Sequence, residues 1–440
     1  MSAALRLWWL LRGRSAGRSD PQRLTSILAA VAFAVTTAVV LVVLGGLGAF
    51  LDRAAAPDAT SDDGLYPLLA GTATGLLMVP LGTLGGAAAR LSVARRDARL
   101  AALRLTGATT AQVSLLTVLD AGVQALIGAA IGVVAYLALV PAVMLLRFQG
   151  RAFTFTELLV PWWVVPSTVV GVALVALVSA VVSLRKVAIT PLGVAARVAP
   201  GPLHWSRLLP LLLFAGVFAV LFSLGRAEII VLVGLVVGGF AMLNLLGPFV
   251  MSIIGRLWAG RAWSAATLIA ARRVLDAPKT AWRSVGGVAL ATFIAGLTSA
   301  IAMFDAGSAP DPQEAQLLTD MATGGFLTLG IAGAVAAVST GVMQAGRVID
   351  QRGEYRALHL AGTEPRVMGS ARLQETGLPL VAAVGVATAG ALLFMVPALG
   401  YDFLSSSVVL VQFGLCVTAA CGLVLLGALA SGRVVRTVLA

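Results

Sequence analysis

Apolar residues in this chain neither alternate nor fall into short amphipathic repeats; they continue for twenty positions and more. A run of about 20 apolar residues is long enough to cross a bilayer as a helix. Ten such runs are read, near Leu24–Phe50, Pro67–Val93, Val113–Leu146, Trp162–Leu184, Leu208–Leu224, Ile229–Ile254, Val285–Phe304, Leu317–Gly346, Val367–Leu399 and Ser405–Ala430. A transmembrane barrel would instead show alternating segments of about ten residues. The pattern predicts an all-α membrane protein with ten transmembrane helices. The third and ninth runs exceed what a bilayer needs, so they are expected to tilt or protrude.

Composition narrows this further. The 440 residues are 59% hydrophobic and 11% charged, which excludes a soluble enzyme and a disordered chain. The charge of +12 sorts by side once both termini are placed in the cytoplasm. The outer side then holds Arg53, Arg147, Arg151 and Arg226 against eleven acids, Glu157 and Asp320 among them, for a net −7. The inner side holds the other 27 basic and 8 acidic residues, a net +19. The basic excess is therefore an anchoring and docking charge, and no nucleic-acid partner is expected. Trp162 and Trp163 fall at the outer interface, and Trp8, Trp9, Trp205, Trp258, Trp263 and Trp282 at the inner one. Cys416 and Cys421 read as small apolar fillers. Only two of the 31 basic residues are Lys, a bias that fits a GC-rich bacterial genome. With no cleavable signal expected ahead of the first span, a multi-pass protein of the bacterial cell membrane is predicted.

Two inner segments are alike. Arg95–Gly107 and Asp350–Gly362 align at an offset of 255, pairing Ala102 with Ala357, Leu103 with Leu358, Leu105 with Leu360 and Gly107 with Gly362. The same offset pairs two intramembrane acids, Asp120 and Glu375. Asp20-Pro21 and Ala277-Pro278 precede the first and seventh spans. Helices 1–4 thus resemble helices 7–10, as parallel repeats about an axis along the membrane normal. The expected domains are residues 1–200, a four-helix repeat with an N-terminal interfacial helix; 201–260, two intervening helices; and 261–440, the second repeat.

Each repeated segment reads as a short amphipathic helix stopped by a glycine. In the first, Leu100 and Leu103 are the apolar contacts and Arg95, Arg96, Arg99 and Arg104 the basic face. In the second, Arg352, Glu354, Tyr355, Arg356, Leu358 and Gly362 are the candidate coupling residues. An interfacial helix held to lipid headgroups is one reading. Two equivalent copies between equivalent spans favour a docking surface for a two-fold partner.

The stretch Arg95-Arg-Asp-Ala-Arg-Leu-Ala-Ala-Leu-Arg-Leu-Thr-Gly-Ala-Thr109 resembles the signature of FtsX-like (MacB-type) ABC transporter permeases. Asp350 to Glu375 resembles a second, more diverged copy, and Arg185–Arg197 the basic tail after the fourth span. The resemblance implies an ABC permease with two coupling helices, driven by a separate cytoplasmic ATPase that binds ATP and Mg. Substrates of such permeases are amphipathic: antimicrobial peptides, lipids or drugs. The two-copy layout is most similar to bacitracin-resistance-type permeases, which join one permease chain to two ATPase chains. Those relatives carry a large outer domain between spans seven and eight, where this chain has only Asp305–Glu314. A non-transporting signal transducer acting on an outside or membrane partner is the alternative.

The chemistry of the residues agrees. A P-loop needs Gly-x-x-x-x-Gly-Lys-Ser/Thr, and neither Lys186, followed by Val187, nor Lys279, preceded by Pro278, fits it. No catalytic residues, no cofactor and no metal are expected in this chain, since His204 and His359 have no ligand spacing. Intramembrane acids are costly and point to function by default. Pairs Asp120–Arg90 and Glu375–Arg347 are expected to brace the coupling helices. Bonds to nearby hydroxyls, inner-face water, or a proton relay are the other readings. Gly71/Gly75, Gly128/Gly132 and Gly234/Gly238 have the spacing that permits close helix contact.

Overall fold

The computed structural model describes residues 21–57, 64–94, 109–188, 208–223, 229–304, 311–350, 357, 360–401 and 405–439. All of the segment 95–107, together with Arg352, Glu354, Tyr355, Arg356, Leu358, both histidines, Trp8, Trp9 and Trp205, lies outside the described residues. Within them the chain is almost entirely helical. The order is α1 (Pro21–Ala54), α2 (Leu65–Ala94), α3 (Thr110–Val143), a two-residue hairpin β1 (Arg147–Phe148) and β2 (Arg151–Ala152), and a single turn α4 (Phe155–Leu158). Then come α5 (Val164–Ala188), α6 (Leu208–Ser223), α7 (Ile229–Gly260), α8 (Ala265–Asp276), α9 (Pro278–Ile301), α10 (Pro312–Asp350), α11 (Pro365–Leu399) and α12 (Ser407–Leu439).

Helices are what long apolar runs must form in lipid, because a helix satisfies every backbone N–H and C=O within one segment. Their starts are marked in the sequence. Thr109 and Gln112 form a reciprocal capping box at α3. Proline opens α9 and α11 within the first turn, where its missing N–H removes no helical bond. Among the described residues, nine helices are long and apolar enough to cross a membrane. The fifth expected span is α6, of 16 residues. The longest helix is α10, with 39 residues, exceeding both runs expected to overshoot.

The first and second sets of four helices are arranged alike. In the first, α1 packs on α2 and α3, and α5 on α2; in the second, α9 packs on α10 and α11, and α12 on α10. The fourth member of each set is the most exposed, with 11% of the α5 span and 17% of the α12 span buried, against 72% for α9. The sets meet where α10 packs on α2 and α1. Outside this seam, α7 packs on α9 and α11, and α6 packs on α7 with Phe214 and Phe218 against Phe394 of α11.

Small residues allow the closest approach. A Cβ on Gly128 would lie 2.6 Å from the Phe33 Cβ, and one on Gly132 would lie 2.6 Å from the Ala34 oxygen, so α3 and α1 touch backbone to backbone. Gly238 faces the Phe214 ring, but Gly71, Gly75 and Gly234 face open space; their spacing alone did not bring a partner helix. Trp282 also departs from expectation. It is 2% exposed and donates its indole N–H to Asn244 Oδ1 at 3.3 Å, a core residue of the α7–α9 contact and no interface anchor. Trp162 and Trp163, by contrast, are exposed as expected.

Candidate functional site

A polar cluster lies near each end of α10. The inner cluster starts from α8, an amphipathic helix capped by Ser264. It buries Ala266, Thr267, Ala270, Ala271 and Val274 and packs on α7 and α11. That burial turns Arg273 toward α11, where its Nη1 lies 3.1 Å from Glu375 Oε2. Arg347, in the last turn of α10, places Nη1 3.2 Å from the other carboxylate oxygen. Its Nη2 donates to the Thr280 carbonyl at 3.2 Å, at the start of α9. Gln344 adds a bond to the Thr376 hydroxyl at 2.7 Å.

Glu375 is 8% exposed, and a lone carboxylate there would be costly. Two guanidiniums offset that cost and fasten α8, α9, α10 and α11 together. The contact between Glu375 and Arg347 is the one expected from sequence. Arg273 was missed; its signal was a short amphipathic stretch behind a Ser cap, just ahead of the seventh span. The Arg90 side chain lies outside the described residues, and with it the expected pairing to Asp120, which sits half-buried on α3. Gly362 has φ +87, the left-handed conformation expected where the second segment stops. Glu364 and Pro365 then open α11.

The outer cluster is built on the hairpin. Gln149 and Gly150 both have positive φ, 55 and 73, as a tight two-residue turn requires. Beneath the hairpin, Phe50 stacks on Tyr66 at 5.7 Å and meets Phe148 and Phe153 edge-on. Arg53 at the end of α1 threads into this group with its side chain 2% exposed. It donates to the carbonyls of Phe148 and Ala152, each at 3.1 Å, to Gln149 Oε1 at 3.2 Å and to Glu157 Oε2 at 3.0 Å. The guanidinium carbon also sits 4.4 Å over the Phe153 ring. Tyr136 on α3 holds the far side, donating to the Leu158 carbonyl at 2.7 Å. Burial alone would raise the pKa of Glu157. The hydrogen bond and charge of Arg53 and the Thr154 N–H outweigh it, and the carboxyl sits below its ordinary range.

Asp320 completes this cluster from the second set of helices. It lies inside α10, 3% exposed. Its Oδ2 accepts from the Tyr66 hydroxyl at 2.8 Å and from the Gln149 N–H at 2.7 Å, and its Oδ1 accepts from Gln316 at 2.9 Å. Arg53 and Asp320 had been counted among outer-loop charges; the structure places both inside helices and buries them. The sequence signal for Asp320 was its place within the eighth apolar run, where an acid needs partners. Arg347 lies 27 residues further along α10 than Asp320. At 1.5 Å per residue that is about 40 Å along α10, longer than the roughly 30 Å hydrocarbon layer of a bilayer.

No curated protein and no solved structure matches this chain. A family model does: residues 74–192 match FtsX-like permease C-terminal. The match takes in most of α2, the segment 95–107, and α3 to α5 with the hairpin between them. It covers about a quarter of the chain. The chain is a multi-pass membrane protein that is similar, over residues 74–192, to the C-terminal part of FtsX-like permeases.

Proposed function

We propose that this chain is the permease subunit of an ABC transporter, coupling ATP hydrolysis by separate cytoplasmic ATPase subunits to export or extraction of an amphipathic substrate. The observation that carries the reading is the FtsX-like match across the segment 95–107 and the spans around it. Permeases of this family generally work with cytoplasmic ABC ATPases. The related segment 350–362 stands between α10 and α11 in the second set of helices, as 95–107 stands between α2 and α3 in the first. Two such segments suit two ATPase copies on one chain, as in bacitracin-resistance-type permeases.

In this mechanism, nucleotide-driven closure of the ATPases displaces both segments. The displacement passes into α2, α3, α10 and α11, the helices that flank the two segments in the chain. The cluster on Glu375 keeps α8 to α11 moving as one body. An amphipathic molecule, such as a peptide antibiotic, a lipid or a drug, meets the lipid-facing seam, since the outer loops are too short to form a binding domain.

Co-purification with a P-loop ATPase tests this reading. The expected complex hydrolyses ATP faster when a transported amphiphile is added. Absence of any such ATPase, with transport surviving ATP depletion, overturns the reading.

A further inference from the structure

We infer that Asp320 is a latch between the outer ends of α2 and α10, and that the outer seam opens when it lets go of Tyr66 and Gln149. The inference rests on the proposed permease function for the source of movement and on the outer cluster for its geometry.

Helices α2 and α10 are the members of the two sets whose inner ends run straight into the segments 95–107 and 350–362. They pack on one another along the seam. At their outer ends Tyr66, on the first turn of α2, donates its hydroxyl to Asp320 on α10 at 2.8 Å. The Gln149 N–H of the hairpin reaches the same oxygen at 2.7 Å. A pair of stiff helices pinned at one end can only pivot about the pin when the other end is moved. While the latch holds, movement at the inner segments leaves the outer ends together. When it releases, the same movement separates them.

The latch is suited to breaking. Its donors to Asp320 among the described residues are a phenol, a backbone amide and the Gln316 amide, all uncharged. The donor from α2 is one hydroxyl on a ring that is otherwise held by stacking on Phe50. Removing that hydroxyl therefore alters the latch and leaves the packing in place. The outer hairpin is independently pinned by Arg53, which bonds Phe148, Gln149 and Ala152, so it stays folded on α1 whichever way the latch stands. Asp320 is a positioning residue in this account.

The test uses the full chain in lipid nanodiscs with Cys416 and Cys421 replaced by Ala. Spin labels sit at Thr156→Cys beside the hairpin and Gln313→Cys at the outer turn of α10, both exposed. Pulsed dipolar spectroscopy then reads the distance between the two sets. One short population is expected for the parent chain. Tyr66→Phe should raise the ratio of separated to closed forms about tenfold, the change that loss of one hydrogen bond to a charged acceptor brings. Asp320→Ala should raise it further. Asp320→Asn, which keeps an acceptor for the hydroxyl, should fall between the parent and Asp320→Ala. The Tyr66→Phe melting temperature should stay near the parent's. Equal distance distributions in the parent, Tyr66→Phe and Asp320→Ala would overturn the latch. A second arm adds the ATPase and trapped nucleotide to the parent chain. Separation there supports the link to ATP. No separation, with the single variants still opening, overturns the permease reading and leaves the latch standing.

Discussion

The inner and outer clusters, near the two ends of α10, are held by different chemistry. At the inner end one carboxylate, Glu375, takes two arginines and binds elements of the second half only: α8, α9, α10 and α11. At the outer end a carboxylate, Asp320, takes neutral donors and joins the second half to the first through Tyr66 and Gln149. Strong charge pairing thus serves rigidity within a half. Bonds from uncharged donors to a carboxylate sit where the two halves meet. The arginine of the outer cluster, Arg53, follows the same rule: it fastens the hairpin within its own half.

The contrast predicts unequal consequences. Glu375→Ala leaves Arg273 and Arg347 facing each other without their counter-ion. Removing one partner of a buried ion pair costs about 3–5 kcal/mol, read as a large loss of thermal stability in nanodiscs. Arg273→Met in the same chain should recover part of it. No recovery would mean the inner cluster is not held by that pairing. Next, Gly132→Leu should cost about 1–3 kcal/mol by overpacking α3 against α1, while Gly71→Leu, in open space, should stay within about 0.5 kcal/mol. Equal effects would contradict the packing described. The smallest effect is in pH. Because the folded Glu157 pKa lies below its unfolded value, its contribution is fully present above the unfolded value of about 4.3. It fades as pH falls through the folded pKa. Fluorescence of Trp162 and Trp163 should therefore hold steady from neutral to mildly acidic pH and change only in stronger acid. A transition near pH 6 would contradict this.

Much of the fold was legible because apolar length in a membrane leaves few options. The Glu375–Arg347 contact was legible for a related reason: an acid and a base near the inner ends of consecutive spans have little else to bind. Arg273 was not, because its helix is too short and too polar to stand out beside membrane spans. Nor was the outer cluster. Counting Arg53 and Asp320 by side gives the orientation but says nothing of burial, which depends on a hairpin only two residues deep folding back over α1. Trp282 shows the same limit, since helix-end tryptophans mark interfaces only until a neighbouring helix covers them. The family match lies within the first half, and the second set of four helices packs in the same pattern as the first.

ATP turnover of the chain assembled with its ATPase tests the central claim most directly, measured for the parent and for Leu103→Asp and Leu358→Asp. The account predicts that each substitution sharply lowers amphiphile-stimulated turnover, and that both together reduce it to the rate of the ATPase alone. Undiminished stimulation in the double variant, with the chain folded and in the membrane, would contradict it.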